Sequence, residues 1–367
     1  MKNLASRLTI ANAKIDRVGS VRAIAVLRIL LGPIAVLHLR TFLEQLNDGF
    51  IYSDRFYEPY ASWYPEASQG LYEVLLLGAV VAAFTFSIGL LSRLSGTYLA
   101  GFIAYNLFLS TTFYQHNRAF LVILLIGVTL LHPGEALSVD SMIRRVSGRS
   151  RPARDVPLWP LWLLRVEVAS VYLASGISKL IDNDWWSGRV LQLRAIDNRQ
   201  LALDNGAPAW ILDVLADGTV QWWLSKGAVL GELAIGLGLL NRRTRLAAIW
   251  IAIPFHLIIQ IGARVQVFSW AALAALIIWV APEARTNDLF LPRSRGFLGR
   301  FVRAFDWFGR FRVQSDDGQA LVMVDASGTE RRDRDALWAT LRHLPATFWF
   351  AEAISFARLV TRPARPR

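Results

Sequence analysis

Eight stretches of this chain are too apolar for a water-soluble fold. They cover residues 23–43, 71–91, 95–113, 119–133, 158–181, 226–241, 246–262 and 265–282, and most approach the roughly 20 residues that a helix needs to cross the hydrocarbon core of a bilayer. A helix satisfies every backbone hydrogen bond within its own segment, which lipid cannot do for it. The pattern predicts an all-α integral membrane bundle of about eight transmembrane helices. A hydrophobic fraction of 54% and 14 tryptophans agree with that class.

The net charge of +12 is carried mostly by arginine. Those arginines lie between the apolar runs, which is the pattern of a lipid partner rather than a nucleic acid. Lys2, Arg7, Lys14, Arg17 and Arg22 form a basic N-terminus over residues 1–22 with no signal-peptide pattern. The next loop holds Glu44, Asp48, Asp54, Glu58 and Glu66. Arg93 marks the following turn, and Arg144, Arg145, Arg149, Arg151 and Arg154 lie in the loop after the fourth run. The loop 182–221 is acidic in excess, and the next turn reads Arg242-Arg243-Thr244-Arg245. Basic loops on one side place both termini in the cytoplasm.

Residues 283–367 are polar and form a small α+β cytoplasmic tail. Residues 321–325 read as a strand, 326–328 as a turn, and Asp333 as the cap of a helix over 334–344. The end, 361–367, is expected to be disordered. The chain has no cysteine, so disulfides, thiolate catalysis and zinc–thiolate sites are excluded, and its five histidines lack metal-ligand spacing.

A few polar residues sit in or beside the apolar runs. Lys179 ends the fifth run, just before Asp182-Asn183-Asp184-Trp185-Trp186. Its commoner role would be a snorkelling anchor; its alternative is a buried amine acting as a base, a form that burial favours. Pairing with Asp182 or Asp184 would hold it charged. Glu232 is an intramembrane carboxylate, for which pairing or function is the default. His256, near mid-depth in the seventh run, is either an interhelical hydrogen-bonding group or part of a cavity. His116 and Asn117 form a turn that can simply satisfy backbone groups. Arg28 suits inward snorkelling, whereas His38 and Arg40 approach the outer side.

The segment Val171-Tyr172-Leu173-Ala174-Ser175-Gly176-Ile177-Ser178-Lys179-Leu180, followed by Asp184-Trp185 and Gly188, resembles the vitamin K-dependent γ-carboxylase family. There the second of two adjacent lysines is the catalytic base; it matches Lys179, and Ser178 replaces the first. Gln115-His116-Asn117 with Leu137-Ser138-Val139-Asp140 resembles the family's Asn-Asn-His turn and its Ser-Val-Asp. Phe255-His256-Leu257 with Phe268 and Trp270 resembles its Phe-His-Leu and later aromatic pair. The resemblance covers residues 20–285, known in bacteria as the HTTM (horizontally transferred transmembrane) domain, and implies a bacterial inner-membrane location. By spacing, the family histidine falls on Asn117, with His116 one place early. Either His116 substitutes for it or the chemistry has changed.

The resemblance implies a coupled reaction. An amine deprotonates a reduced naphthoquinone of the vitamin K or menaquinone type, oxygen adds, and the resulting alkoxide removes a glutamate γ-proton. The carbanion captures carbon dioxide, and the quinol leaves as its epoxide. On that pattern Lys179 is the base, His116 and Asn117 assist it, and His256, Trp185, Phe255 and Glu232 line the quinone site, with no metal. The partners are the bilayer, the quinol, a protein or peptide glutamate, O2 and CO2. The alternative is a non-catalytic scaffold or quinone- or lipid-binding protein on the same fold. A transporter is a weaker third reading, since no inverted repeat is visible. The tail resembles the second half of a thioredoxin-like DCC domain, without its cysteines.

Overall fold

The computed structural model describes most of residues 18–354. Residues 1–17, 53–57, 149–155, 264–266, 281–286 and 355–367 lie outside the described residues, as do positions 20, 50, 158, 205, 242, 293, 295, 308, 319, 326, 345, 348–349 and 352–353. The basic N-terminus before Val18, Arg149, Arg151, Arg154, Arg242, Asp54, the turn residue Ala326 and the 361–367 end therefore fall outside them.

Each apolar run forms a helix. In chain order these are α1 (Arg22–Asn47), α2 (Gln69–Ile88), α3 (Ser92–Leu109), α4 (His116–Leu130), α6 (Trp159–Ile181), α11 (Gly218–Leu240), α12 (Arg245–Ala263) and the pair α13 (Phe268–Ala275) and α14 (Ile277–Val280); the short α5 (Val139–Val146) follows α4. Four of them, α1, α2, α6 and α11, are long and apolar enough to cross a membrane; His116–Leu130, Arg245–Gln260 and Phe268–Val280 are apolar but shorter. The sixth run is longer than its apolar part. Asp217 accepts hydrogen bonds from Thr219 N and Val220 N (2.9 and 3.0 Å), so α11 starts eight residues before position 226. The third run stops at Leu109, where Ser110 turns extended and caps a 3₁₀ turn, Thr111–Phe113.

The bundle is apolar on both sides of its helices. Leu27, Leu31, Tyr72, Phe86, Leu99, Leu125, Val168 and Ile235 fill the interior. Val74, Leu77, Phe84, Leu237 and Ile258 are more than half exposed, which in water would be costly and in lipid is neutral. Helices α6 and α11 approach closely at glycine. A Cβ on Gly176 would lie 2.9 Å from Leu233, and one on Gly236 would lie 2.7 Å from Leu173. Small residues at such contacts let two backbones close up, and this contact brings Lys179 against Glu232.

The acidic segment 182–221 is helical rather than an open loop. It folds into α7 (Asn183–Trp186), α8 (Arg189–Asp197), α9 (Arg199–Asp204) and α10 (Ala209–Ala216).

The tail has its own core of Leu289, Leu291, Val302, Phe311, Leu321 and Met323. Outside the tail, the short β1 (Val18–Gly19) and β2 (Val156–Pro157) pair antiparallel; the tail contains β3 (Asn287–Pro292), α15 (Gly296–Phe305), β4 (Phe311–Asp316), β5 (Val322–Val324), β6 (Glu330–Arg332) and α16 (Asp333–His343). The sheet order is β4-β3-β5-β6, with β3 and β4 parallel and the other pairs antiparallel. The strand and helix expected after residue 321 are present; the strand–helix–strand unit before them is additional. Asp333 is the first residue of α16 rather than its cap. Its φ is +45°, and its carboxylate accepts from Leu321 N at 3.2 Å. The tail docks on the bundle through Arg22, which donates to Asp306 O (2.8 Å), and Arg310, which donates to Val280 O (3.0 Å).

Candidate functional site

Lys179 lies in the last turn of α6 with its side chain 18% exposed. Its Nζ donates to Glu232 Oε1 at 2.6 Å and to Ser175 Oγ at 2.7 Å. Ser175 Oγ in turn donates to the same carboxylate oxygen at 3.1 Å. Ser175 and Lys179 stand four residues apart, so both project from one helix face. The Glu232 side chain is 7% exposed, and its second oxygen, Oε2, is buried with no hydrogen-bond partner. Oε1 therefore collects both donors while Oε2 keeps its lone pairs.

The two carboxylates nearest Lys179 in sequence are engaged elsewhere. Asp182 caps α7, accepting from Asp184 N (2.9 Å) and Trp185 N (3.2 Å). Asp184 lies 3.5 Å from Arg189. The expected competition from Asp182 or Asp184 is replaced by a partner 53 residues away, and spacing along one chain segment could not reveal it.

Trp185 covers the amine, with Lys179 Nζ 4.9 Å from its ring centre. Helix α11 holds that tryptophan in place. Ser225 donates to Trp185 O and Lys226 to Trp186 O, while the Lys226 ammonium lies 4.2 Å from the Trp186 ring and 3.9 Å from Trp222. Neither Ser225 nor Lys226 stood out in the sequence. Their roles depend on the fold-back of α7 onto α11.

Two turns below Lys179 on α6, Tyr172 OH shares a 2.5 Å hydrogen bond with His256 Nε2. His256 is fully buried, and its Nδ1 has no partner. Its ring is 5.6 Å from Phe255 and 5.7 Å from Phe268, and Phe268 is 5.6 Å from Phe120 of α4. Lys179, Ser175 and Tyr172 thus form a polar line down α6, faced by Glu232 and His256. Tyr172 was legible only as part of a motif.

His116 and Asn117 do not touch Lys179, whose polar and ring partners are Ser175, Glu232 and Trp185. His116 is exposed at the start of α4, edge-on to Tyr114 at 5.6 Å. Asn117 follows it, half-buried. The next residue, Arg118, is the buried one: it donates to Phe113 O at 3.1 Å and lies 5.2 Å from the Phe42 ring. Phe42 also packs on His38, whose ring nitrogens are both buried without partners. Arg40 is exposed and pairs with Glu44 at 2.7 Å.

Arg28 does not snorkel. It is fully buried and donates to Pro133 O (2.7 Å) and Leu137 O (2.5 Å). The Ser138-Val139-Asp140 segment is a clamp beside it. Ser138 Oγ caps α5 by accepting from Ser141 N at 3.0 Å. Asp140 accepts from Leu91 N (2.8 Å), Ser92 N (3.0 Å) and Ser92 Oγ (2.8 Å), so it caps α3 from across the bundle. Gly89, at φ +72°, makes room for Arg28: a Cβ there would lie 2.1 Å from the guanidinium.

A family model described as HTTM domain matches residues 17–283. The chain belongs to the HTTM domain family. No curated protein and no solved structure matches it. The HTTM match ends where the bundle ends, so the membrane helices, the Lys179–Glu232 pair, His256 and the Ser138–Asp140 clamp all lie within the family region, and the tail lies outside it.

Proposed function

We propose that this HTTM protein is a quinol-dependent membrane enzyme in which the Lys179–Glu232 pair takes the first proton. The observation that carries the reading is the pair itself: an amine and a carboxylate at the end of a membrane helix, under a tryptophan, with one carboxylate oxygen uncommitted. The pair is net neutral when charge-separated. On receiving the hydroxyl proton of a reduced naphthoquinone it becomes net positive beside a quinolate anion, and the attraction between the two favours the transfer in a site of low polarity. Trp185 and Phe255 offer flat apolar surface for the quinone ring, and the bilayer delivers a substrate that is itself lipid-soluble. The later steps, oxygen addition, proton abstraction from glutamate and capture of carbon dioxide, rest on the resemblance to the γ-carboxylase family. In this reading all eight apolar runs cross the inner membrane of a bacterium, with both termini cytoplasmic.

The second reading is a non-catalytic quinone- or lipid-binding scaffold. It is favoured by the 2.6 Å bridge, which locks α6 to α11 without any chemistry, and by the exposed position of His116. The two separate in membranes supplied with reduced menaquinone, oxygen and labelled bicarbonate. The enzyme reading expects quinone epoxide to form with the native chain and to vanish with Lys179→Ala and Glu232→Leu. Epoxide formation that Lys179→Ala leaves intact would remove the pair from the chemistry, and no epoxide with the native chain while menaquinone still binds would select the scaffold.

A further inference from the structure

The basic end of the bundle carries a second feature that the proton-transfer site does not use. Helix α5 follows the Ser138 cap, and none of its residues is buried. At about 100° per residue, Val139, Met142, Ile143 and Val146 fall on one face, while Asp140, Ser141, Arg144 and Arg145 occupy the other. Met142, Ile143 and Val146 are more than half exposed, and Leu91 and Leu94 beside them are as well. An apolar face this open on a membrane protein, backed by arginines, has the make-up of a helix lying in the interface, its apolar side among acyl chains.

A cavity of about 420 Å3 opens between α5 and the start of α3, lined by Leu91, Arg93, Leu94, His132, Asp140 and Arg144 among others. Its carboxylates are committed. Asp140 is saturated by the α3 backbone and Ser92, and Glu135 sits 3.5 Å from Arg144. Arg93 is exposed and has no hydrogen bond or ion pair among the described residues. Leu91 and His132, both at the rim, hold left-handed backbone at φ +47° and +55°, conformations that L side chains adopt at a cost.

We propose that this end of the bundle binds an anionic phospholipid. Its phosphate sits in the cavity at Arg93, beside Arg144, which also donates to Gly134 O at 2.7 Å and faces Glu135, and its acyl chains lie along Leu94, Ile143 and Val146. Charge and apolar surface select this occupant together: a soluble phosphate would use the arginines but leave the apolar face bare, and a zwitterionic lipid would bring its own headgroup cation beside Arg93 and so gain less from it.

The test uses the full chain, purified in detergent and presented with equal amounts of phosphatidylglycerol and phosphatidylcholine, with lipid retention read by native mass spectrometry. Phosphatidylglycerol should be retained preferentially. Arg93→Gln should lower its retention about fivefold, the worth of one basic side chain at an anionic membrane surface, while phosphatidylcholine retention and the melting temperature stay unchanged. Val146→Ser should weaken both lipids. Equal retention of the two lipids by the native chain would overturn the proposal, as would an Arg93→Gln variant that keeps its phosphatidylglycerol. Inorganic phosphate that displaces phosphatidylglycerol, with Val146→Ser having no effect, would assign the cavity to a soluble phosphate ligand instead.

Discussion

Replacing Lys179 by methionine tests the centre of the site through stability alone, without assuming any activity. Methionine keeps most of the aliphatic stem but removes the ammonium, and with it the contact of Nζ with the Trp185 ring. Glu232, 7% exposed, is then left with one donor, Ser175 Oγ at 3.1 Å. Breaking a buried pair from one side costs about 3–5 kcal/mol. The lysine end of this pair is 18% exposed, so water can partly reach the stranded carboxylate and the low end, about 3 kcal/mol, applies. Glu232→Leu should cost less, about 1–2 kcal/mol, because the lysine stem can extend its ammonium toward the interface. The double variant, Lys179→Met with Glu232→Leu, strands no charge and should recover most of the loss. The measurement is denaturant unfolding in bicelles for the native chain, both singles and the double. A Lys179→Met cost below about 0.5 kcal/mol, the range of an ordinary surface change, would refute the bridge, and additive single costs would refute the coupling.

Further outcomes follow from other parts of the chain. Asp140→Ala removes the cap of α3 and should cost about 1–2 kcal/mol, read as a lower melting temperature; an unchanged melt would mean that the hydrogen bonds to Leu91 N and Ser92 N contribute nothing. Because the native chain has no cysteine, a single cysteine placed near residue 200 should react with an impermeant thiol reagent from the outer face only; labelling from the cytoplasmic face alone would invert the proposed topology. In the tail, Asp325 accepts hydrogen bonds from Ser327 Oγ (2.5 Å) and from the backbone N–H groups of Ser327 (2.9 Å) and Thr329 (3.1 Å), and pairs with Arg331 at 3.1 Å. These contacts, the Ser327 hydroxyl first, hold its carboxyl down at about 2, below the usual value of 3.8. A depressed carboxyl contributes stability above its unfolded pKa and loses it as pH falls through the folded one. The tail's acid unfolding between pH 4 and 2 should therefore be weaker in Asp325→Asn, which is already destabilised at neutral pH; identical acid profiles would count against that carboxylate.

Much of this molecule was legible along the chain because lipid imposes a one-dimensional rule. An apolar run in a bilayer must satisfy its backbone within itself, and each of the eight runs forms a helix over most of its described residues. Local chemistry also set ends that composition alone blurred, as when Asp217 starts α11 before its apolar part begins. Lys179, Glu232, Trp185 and His256 were each conspicuous as polar or aromatic residues in or beside apolar runs. Their partnerships were another matter. Lys179 has two carboxylates within five residues, yet it pairs with Glu232, because Gly176 and Gly236 let α6 and α11 close up while Asp182 is held by the α7 backbone. Arg28 looked like a snorkelling side chain and is instead buried against backbone carbonyls. Asp140 caps a helix 48 positions away in sequence. A sequence determines which side chains cannot face lipid alone; which of them meet depends on how closely the helix backbones approach, and only the packed bundle decides that.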